Sequence, residues 1–237
     1  YRAPDMRERF EDAARGDGYF HKGNPQLDAE KSTSAEVGVK GRGYLGEYQL
    51  AAFYTRIDDY IAGRVTGATH PGNNLPIKQT ENLSDVKIYG AEASFIVPME
   101  AINASAPSID LDGSLTWLRG ENKQDNEPLY QMPAPELTLG LGQQSRPGFN
   151  WHGQVRAVAK QDRTADIFSG NTEASTPGYA TVDVLLGWGF GATGDLSNLK
   201  VTLEGNNLLD KRYREHLTEG EILSPGKGLI ARLEGNF

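Results

Sequence analysis

Leu199-Lys200-Val201-Thr202-Leu203-Glu204-Gly205-Asn206 alternates without a break: odd positions are apolar or glycine, even positions are polar. Side chains along a β-strand point to opposite faces in turn, so this stretch reads as a strand with one oily face and one wet face. The final segment repeats the pattern. Leu229, Ala231, Leu233, Gly235 and Phe237 share one face, and Ile230, Arg232, Glu234 and Asn236 take the other.

Working upstream, Ala180 to Phe190 alternates in the same way around Thr181 and Asp183. Phe149, Trp151, Val155, Ala157 and Ala159 alternate with Asn150, His152, Gln154, Arg156 and Lys160. Leu137 to Gly142, Ile109 to Trp117 and Tyr89 to Val97 follow suit, with weaker cases at Tyr48 to Tyr54 and Ala35 to Gly41. The count is about nine strands of roughly ten residues, the length of a tilted membrane strand. The connections fall near 1–33, 43–46, 63–84, 99–107, 121–135, 146–148, 163–177, 191–197 and 210–226. Long ones alternate with short ones, as in a transmembrane antiparallel β-barrel with short periplasmic turns and longer extracellular loops. The last strand then runs inward, and Trp151, Trp188, Phe190 and Phe237 form an aromatic girdle at the periplasmic edge.

Composition agrees with this all-β reading. Of 237 residues only 38% are hydrophobic, as expected when just one face meets lipid. No run of about 18 apolar residues occurs, which excludes a helical membrane protein. With no cysteine, disulfides, thiol catalysis and Cys-based zinc sites are excluded. A net charge of -8 argues against a nucleic-acid partner. Tyr1-Arg2-Ala3-Pro4 carries no signal-peptide pattern. An odd strand number would leave unpaired edges, which lipid does not tolerate. The barrel is therefore expected to be completed by sequence N-terminal to this chain.

Several short motifs resemble TonB-dependent receptors. They are Tyr1-Arg2-Ala3-Pro4 with Gly23-Asn24-Pro25-Gln26-Leu27, Glu30 and Ser32; Ala52-Phe53-Tyr54 with Ile57-Asp58-Asp59-Tyr60-Ile61; and Ile88-Tyr89-Gly90-Ala91-Glu92. Thr176-Pro177-Gly178-Tyr179, Asn206-Asn207-Leu208-Leu209-Asp210 with Tyr213, and the terminal Phe237 complete the set in order. The resemblance implies that residues 1–237 are the last strands of a 22-stranded barrel, with the plug domain outside this chain. It implies TonB-driven uptake of a scarce ligand across the outer membrane of a Gram-negative bacterium. The implied partners are the TonB complex (through the missing N-terminal region), outer-membrane lipid, the plug and the N-terminal barrel strands. Arg119-Gly120-Glu121-Asn122 with Asp125 and Pro128-Leu129, Val158 to Arg163, Glu215-His216-Leu217 and Pro225-Gly226-Lys227 are similar to copper and zinc receptors. The first two boxes, with His21 between them, also resemble haem receptors.

The inward faces carry Glu92, Asp110, Asp112, Arg156, Lys160, Asp183, Glu204 and Arg232. A packed core could not hold so many charges, whereas a wet or plug-filled lumen can. His21, His70, His216, Met6 and Met132 fall in expected extracellular loops. Imidazole and thioether suit copper, and imidazole suits zinc or haem iron. They are the candidate ligand contacts, with His21 and His216 the candidate metal ligands; His152, low in the lumen, reads as structural. No intrinsic cofactor is expected, the transported ligand being a metal ion, metal chelate or haem. No Gly-x-Ser-x-Gly elbow occurs, and Asp110 and Asp112 share a lumenal face, so no catalytic site is assigned. The alternatives are a passive porin-like channel or a surface adhesion barrel.

Overall fold

The computed structural model describes residues 1–144, 147–166, 173–190, 197–218 and 222–236. In chain order the elements are α1 (Met6–Phe10), β1 (Asp12–Ala14), β2 (Phe20–Lys22), β3 (Lys31–Gly43), β4 (Gly46–Asp58), β5 (Tyr60–Thr69), β6 (Pro76–Leu83) and β7 (Val86–Pro98). They continue with α2 (Met99–Ile102), β8 (Asp110–Asn122), β9 (Glu127–Pro128), β10 (Glu136–Gln143), β11 (Gly148–Val158), β12 (Tyr179–Gly189), β13 (Ser197–Asn206) and β14 (Gly228–Asn236). One large sheet runs β14-β13-β12-β11-β10-β8-β7-β4-β3, every pair antiparallel, with β9 as a short flank on β8. The nine strands of this path are the nine that the alternation predicts.

The register carries the faces from strand to strand. Val39, Leu50, Ala93, Leu115, Leu137, Ala157 and Ala180 stand opposite one another in a single row. One residue along each strand, Lys40, Gln49, Ser94, Ser114, Thr138, Arg156 and Thr181 form the adjacent row on the other face. The first row belongs to a broad exposed apolar surface that includes Leu139, Leu141, Val155, Leu186, Val201 and Leu203. Such a patch would aggregate in water and is at home in lipid. No helix is long and apolar enough to cross a membrane, so any crossing belongs to the strands. Trp151, Trp188 and Phe149 lie on the apolar face near the short-connection end; the Phe149 and Trp188 rings are 6.4 Å apart. Phe190 follows β12 at that end, its N–H bonded to the Leu199 carbonyl at 2.8 Å. Phe237 lies outside the described residues.

Three expectations need correction. The connection expected over 63–84 is instead the hairpin β5–β6. It extends the β4–β7 pair beyond Asp59, whose φ of 60° turns the strand without ending the hydrogen bonding. The leading 1–33 segment is also ordered, with α1 and the β1–β2 hairpin; β2 runs parallel to β6 in a four-stranded sheet β1-β2-β6-β5. Lys160 does not sit on the lumenal face of a strand. The β11 strand stops at Val158, where the Ala159 N–H goes to the Pro135 carbonyl, and Lys160 pairs with Asp162 at 3.2 Å in the following connection.

Leu139→Arg places a charge in the middle of the apolar face and is expected to cost about 2–4 kcal/mol, whereas Ser114→Arg on the opposite face costs far less. Denaturant titration of the protein folded into lipid vesicles checks both; equal losses would overturn the assignment of the faces.

Candidate ligand-facing surface

At the long-connection end the described parts of four segments meet: 1–30, the β5–β6 hairpin, 123–135, and 159–166 with 173–178; 207–218 and 222–227 lie alongside. Arg2 grips both oxygens of Glu30, Nε to Oε2 at 2.8 Å and Nη2 to Oε1 at 2.7 Å, and reaches Glu8 at 2.8 Å. Such a fork-to-fork pair is strong and directional. Glu30 in turn accepts the Ile61 N–H at 2.9 Å, so the leading segment is fastened to the hairpin. Asn82 adds bonds to both Asp28 and the Asp59 carbonyl. Within the segment, α1 is closed by a capping box, Asp5 with Glu8. Gly23 passes so close to the α1 end that a Cβ there would meet the Arg9 carbonyl carbon at 2.6 Å.

Arg64 of β5 bonds both Glu81 and Asp125, which ties the hairpin to connection 123–135. Asn122 also donates to Asp125 at 2.6 Å. Beneath these charges lies an apolar cluster of Leu83, Val86, Leu129, Met132 and Ala165. A second fastening centres on Glu173. It accepts the N–H of Gln131 at 2.7 Å and of Ala165 at 2.6 Å, and His216 Nε2 lies 3.2 Å away. The other ring nitrogen of His216 bonds Thr176 at 3.1 Å, and the side chains of both Glu173 and His216 are almost fully covered. A third centre is Arg156, bonded to Glu136 at 2.6 Å, Glu215 at 2.9 Å and the Tyr179 hydroxyl at 3.0 Å. Tyr179 stacks on Tyr213 at 4.0 Å. Buried Asn207 holds the start of the last connection, donating to the Lys211 and Pro225 carbonyls while its N–H bonds Asp183.

The candidate residues are therefore dispersed. His21 bonds Asp17 at 2.7 Å. His70, at the tip of the β5–β6 hairpin, stacks on Phe20 with centroids 3.8 Å apart, and its Nδ1 meets Asn73 at 3.2 Å. His216 belongs to the Glu173 fastening, Met132 to the apolar cluster, and Met6 is exposed on α1. Among the described residues no three His, Cys, Asp or Glu side chains come together as a metal site. Glu92, Asp110, Asp112, Arg156, Asp183, Glu204 and Arg232 all lie on the face opposite the apolar rows, as their strand positions require. His152 bonds Asp112 at 2.8 Å across β10. Gly140 and Gly142 make room for the pair: a Cβ at Gly140 would lie 2.6 Å from both Asp112 Oδ2 and His152 Nε2. Sequence reasoning missed Glu173, Arg64 and the Arg2–Glu30 fork, since each works through partners far along the chain.

Burial pushes Glu30 up, but the Arg2 and Ile61 hydrogen bonds and the Arg2 charge together hold it below the usual carboxylate range. Asp125 is likewise raised by burial and brought below its ordinary value by Arg64 and Asn122.

A wall with one lipid-compatible face and one polar face, its long connections fastened together at one end, is a segment of a transmembrane β-barrel. The chain belongs to the TonB-dependent receptor-like β-barrel family, whose sequence model matches residues 1–208. These are proteins of the Gram-negative outer membrane, which puts the long connections on the outside. Among curated relatives, the haemoglobin-haptoglobin utilization protein B of Neisseria meningitidis serogroup A is 34% identical over 180 residues, covering 67% of this chain and 22% of that protein. The ferric enterobactin receptor PirA of Pseudomonas aeruginosa is 28% identical over 204 residues, covering 84% and 26%. The chain thus spans about a quarter of the length of these relatives. Among solved structures, the copper transporter OprC superposes with a TM-score of 0.75 at 20% identity, covering 98% of this chain and 34% of that one. That likeness is one of fold.

Because Glu30 is held below its ordinary value, it stabilises the fastening above the unfolded value of about 4.3, and that contribution is lost as pH falls through the lower folded value. Acidification below the ordinary carboxylate range should therefore lower the protection factor of the Ile61 amide, its exchange rate being compared with the intrinsic rate at each pH, and Glu30→Gln should make that protection factor insensitive to pH; an unchanged protection factor in the wild type would refute the pairing. Similarly, His216→Ala should accelerate exchange at Gln131 and Ala165 but leave β10 to β12 protected, which hydrogen-exchange mass spectrometry resolves.

Proposed function

We propose that this chain is the C-terminal portion, residues 1–237, of a TonB-driven outer-membrane transporter that imports a metal ion or metal chelate. The observation that carries the reading is that the outer connections at one end of a polar inner wall are fastened to one another. A passive pore works with an open mouth. Here 1–30, the β5–β6 hairpin and the long connections are instead joined by charged and buried pairs. That is the construction of a receptor that first holds its cargo and then lets it pass.

In this reading the remaining strands, which pair with the free edges of β3 and β14, and a plug that meets the lumenal charges come from the rest of the protein. TonB acts through the region preceding the plug. The cargo is copper, zinc, a ferric siderophore or haem, in keeping with relatives named for haemoglobin-haptoglobin, ferric enterobactin and copper. His21 and His70 on the small outer sheet, with Met6 on α1, are assigned to cargo contact. His216 and Met132 are assigned to holding the outer connections in shape around it.

Uptake of isotope-labelled copper, zinc, a ferric catecholate chelate and haem, measured in cells with and without TonB, tests the proposal. One of the four is expected to accumulate only when TonB is present. Accumulation that persists without TonB would make the protein a passive channel and discard the transporter reading.

A further inference from the structure

On the apolar face of β4, β7 and β8, the rows end towards the outside in an aromatic patch. Tyr54 and Tyr89 stack at 6.5 Å, and Tyr89 meets Trp117 edge-on at 5.9 Å. Two residues further out on the same face, about 7 Å along each strand, the side chains become cationic. Arg56 follows Tyr54, Lys87 precedes Tyr89, and Arg119 follows Trp117, the register placing Arg56 opposite Lys87 and Tyr89 opposite Arg119. Lys123 and Arg163 join them around Glu121.

The patch is over-supplied with positive charge. Five cations face three carboxylates: Arg56 pairs with Asp58 and Asp85, Lys87 approaches Asp85 at 4.0 Å, and Lys123 and Arg163 share Glu121. Among the described residues Arg119 has no carboxylate partner. Its exposed guanidinium lies 5.3 Å from the Trp117 ring centre, fixed by the aromatic face. An aromatic belt marks where acyl chains give way to headgroups, and cations just above it are placed to meet lipid phosphate.

We propose that this outward patch of Arg56, Lys87 and Arg119, backed by Lys123 and Arg163, binds the phosphate groups of the glycolipid that forms the outer leaflet. Charge complementarity selects an anion, and position selects its source. A soluble anion would have no reason to sit on the flank directly above an apolar wall, whereas a lipid phosphate is delivered to that height by its own acyl chains. Arginine matches phosphate with paired N–H donors, so Arg119, unengaged by carboxylate, is the expected anchor.

The test uses the complete receptor purified from outer membranes, stripped of lipid in detergent, and titrated by native mass spectrometry. Three lipids are compared: lipopolysaccharide, its dephosphorylated form, and phosphatidylglycerol. The expected result is tight retention of the phosphorylated glycolipid alone, weakened at least tenfold in an R56A/K87A/R119A variant and unaffected by Lys40→Ala on the lumenal face. Heat-modifiable gel mobility verifies that each variant has formed its barrel; if the triple variant does not assemble, the single R119A, expected to lose several-fold, carries the test. Equal retention of the dephosphorylated form, equal retention of phosphatidylglycerol, or undiminished binding by the variants would each overturn the proposal.

Discussion

Backbone hydrogen bonding in lipid governs this structure. An unpaired N–H or C=O inside a bilayer costs several kcal/mol, so a strand there must be paired along its full length on both sides. The seven inner strands of the nine-strand path meet that demand, with long uninterrupted ladders such as Lys31–Gly43 against Gly46–Asp58, while β3 and β14 each keep one free edge. Once the ladder fixes the register, the faces follow without further choice. A slip of one residue would turn Leu139 and Val155 inward and send Thr138 and Arg156 into lipid, so the alternation itself locks the pairing. The polar inner wall is the other half of the same constraint, because each oily side chain leaves its neighbour facing the lumen.

Outside the bilayer a different rule applies. Water is available, the backbone need not close into a barrel, and order comes from side chains. The outer end uses side-chain pairs at long sequence separation, the ion pairs of Arg2 with Glu30 and Arg64 with Asp125 and the hydrogen bond between Glu173 and His216. Half-exposed pairs of this kind are individually weak and sensitive to salt and pH, unlike the ladders below. The almost fully covered Glu173 side chain and the bidentate Arg2 fork are stronger because they also satisfy backbone N–H groups that would otherwise lack partners.

How far the sequence could be read follows from this division. A period of two is a local property, so the nine strands and the identity of each face were legible from single segments such as Leu199 to Asn206. The girdle positions Trp151 and Trp188 followed from the same parity. The β5–β6 hairpin escaped because its register shifts between Val65 and Thr69 and its strands are separated from β4 by a positive-φ residue. Residues 1–30 escaped because the two-stranded β1–β2 pair is only three residues long and gains its order from β6, far along the chain. The fastening of the outer connections was illegible for the same reason. Thr176-Pro177-Gly178-Tyr179 and Glu215-His216 were visible as motifs, but nothing local reveals that Tyr179 and Glu215 both meet Arg156.

The two halves of the molecule therefore resist change differently. Moving one strand of the wall would break a whole ladder at once, and in lipid no water can compensate, so the wall behaves as a single rigid unit. Releasing the outer connections requires only that a few side-chain pairs open, each into solvent that can accept the freed groups. The His152–Asp112 pair sits on the wall side of this boundary, in a slot that Gly140 and Gly142 leave open for it. At the outer end, Glu30, Asp125 and Glu173 are the points at which segments join. The sequence achieves this separation by placing ladders below and side-chain pairs above the same strand ends.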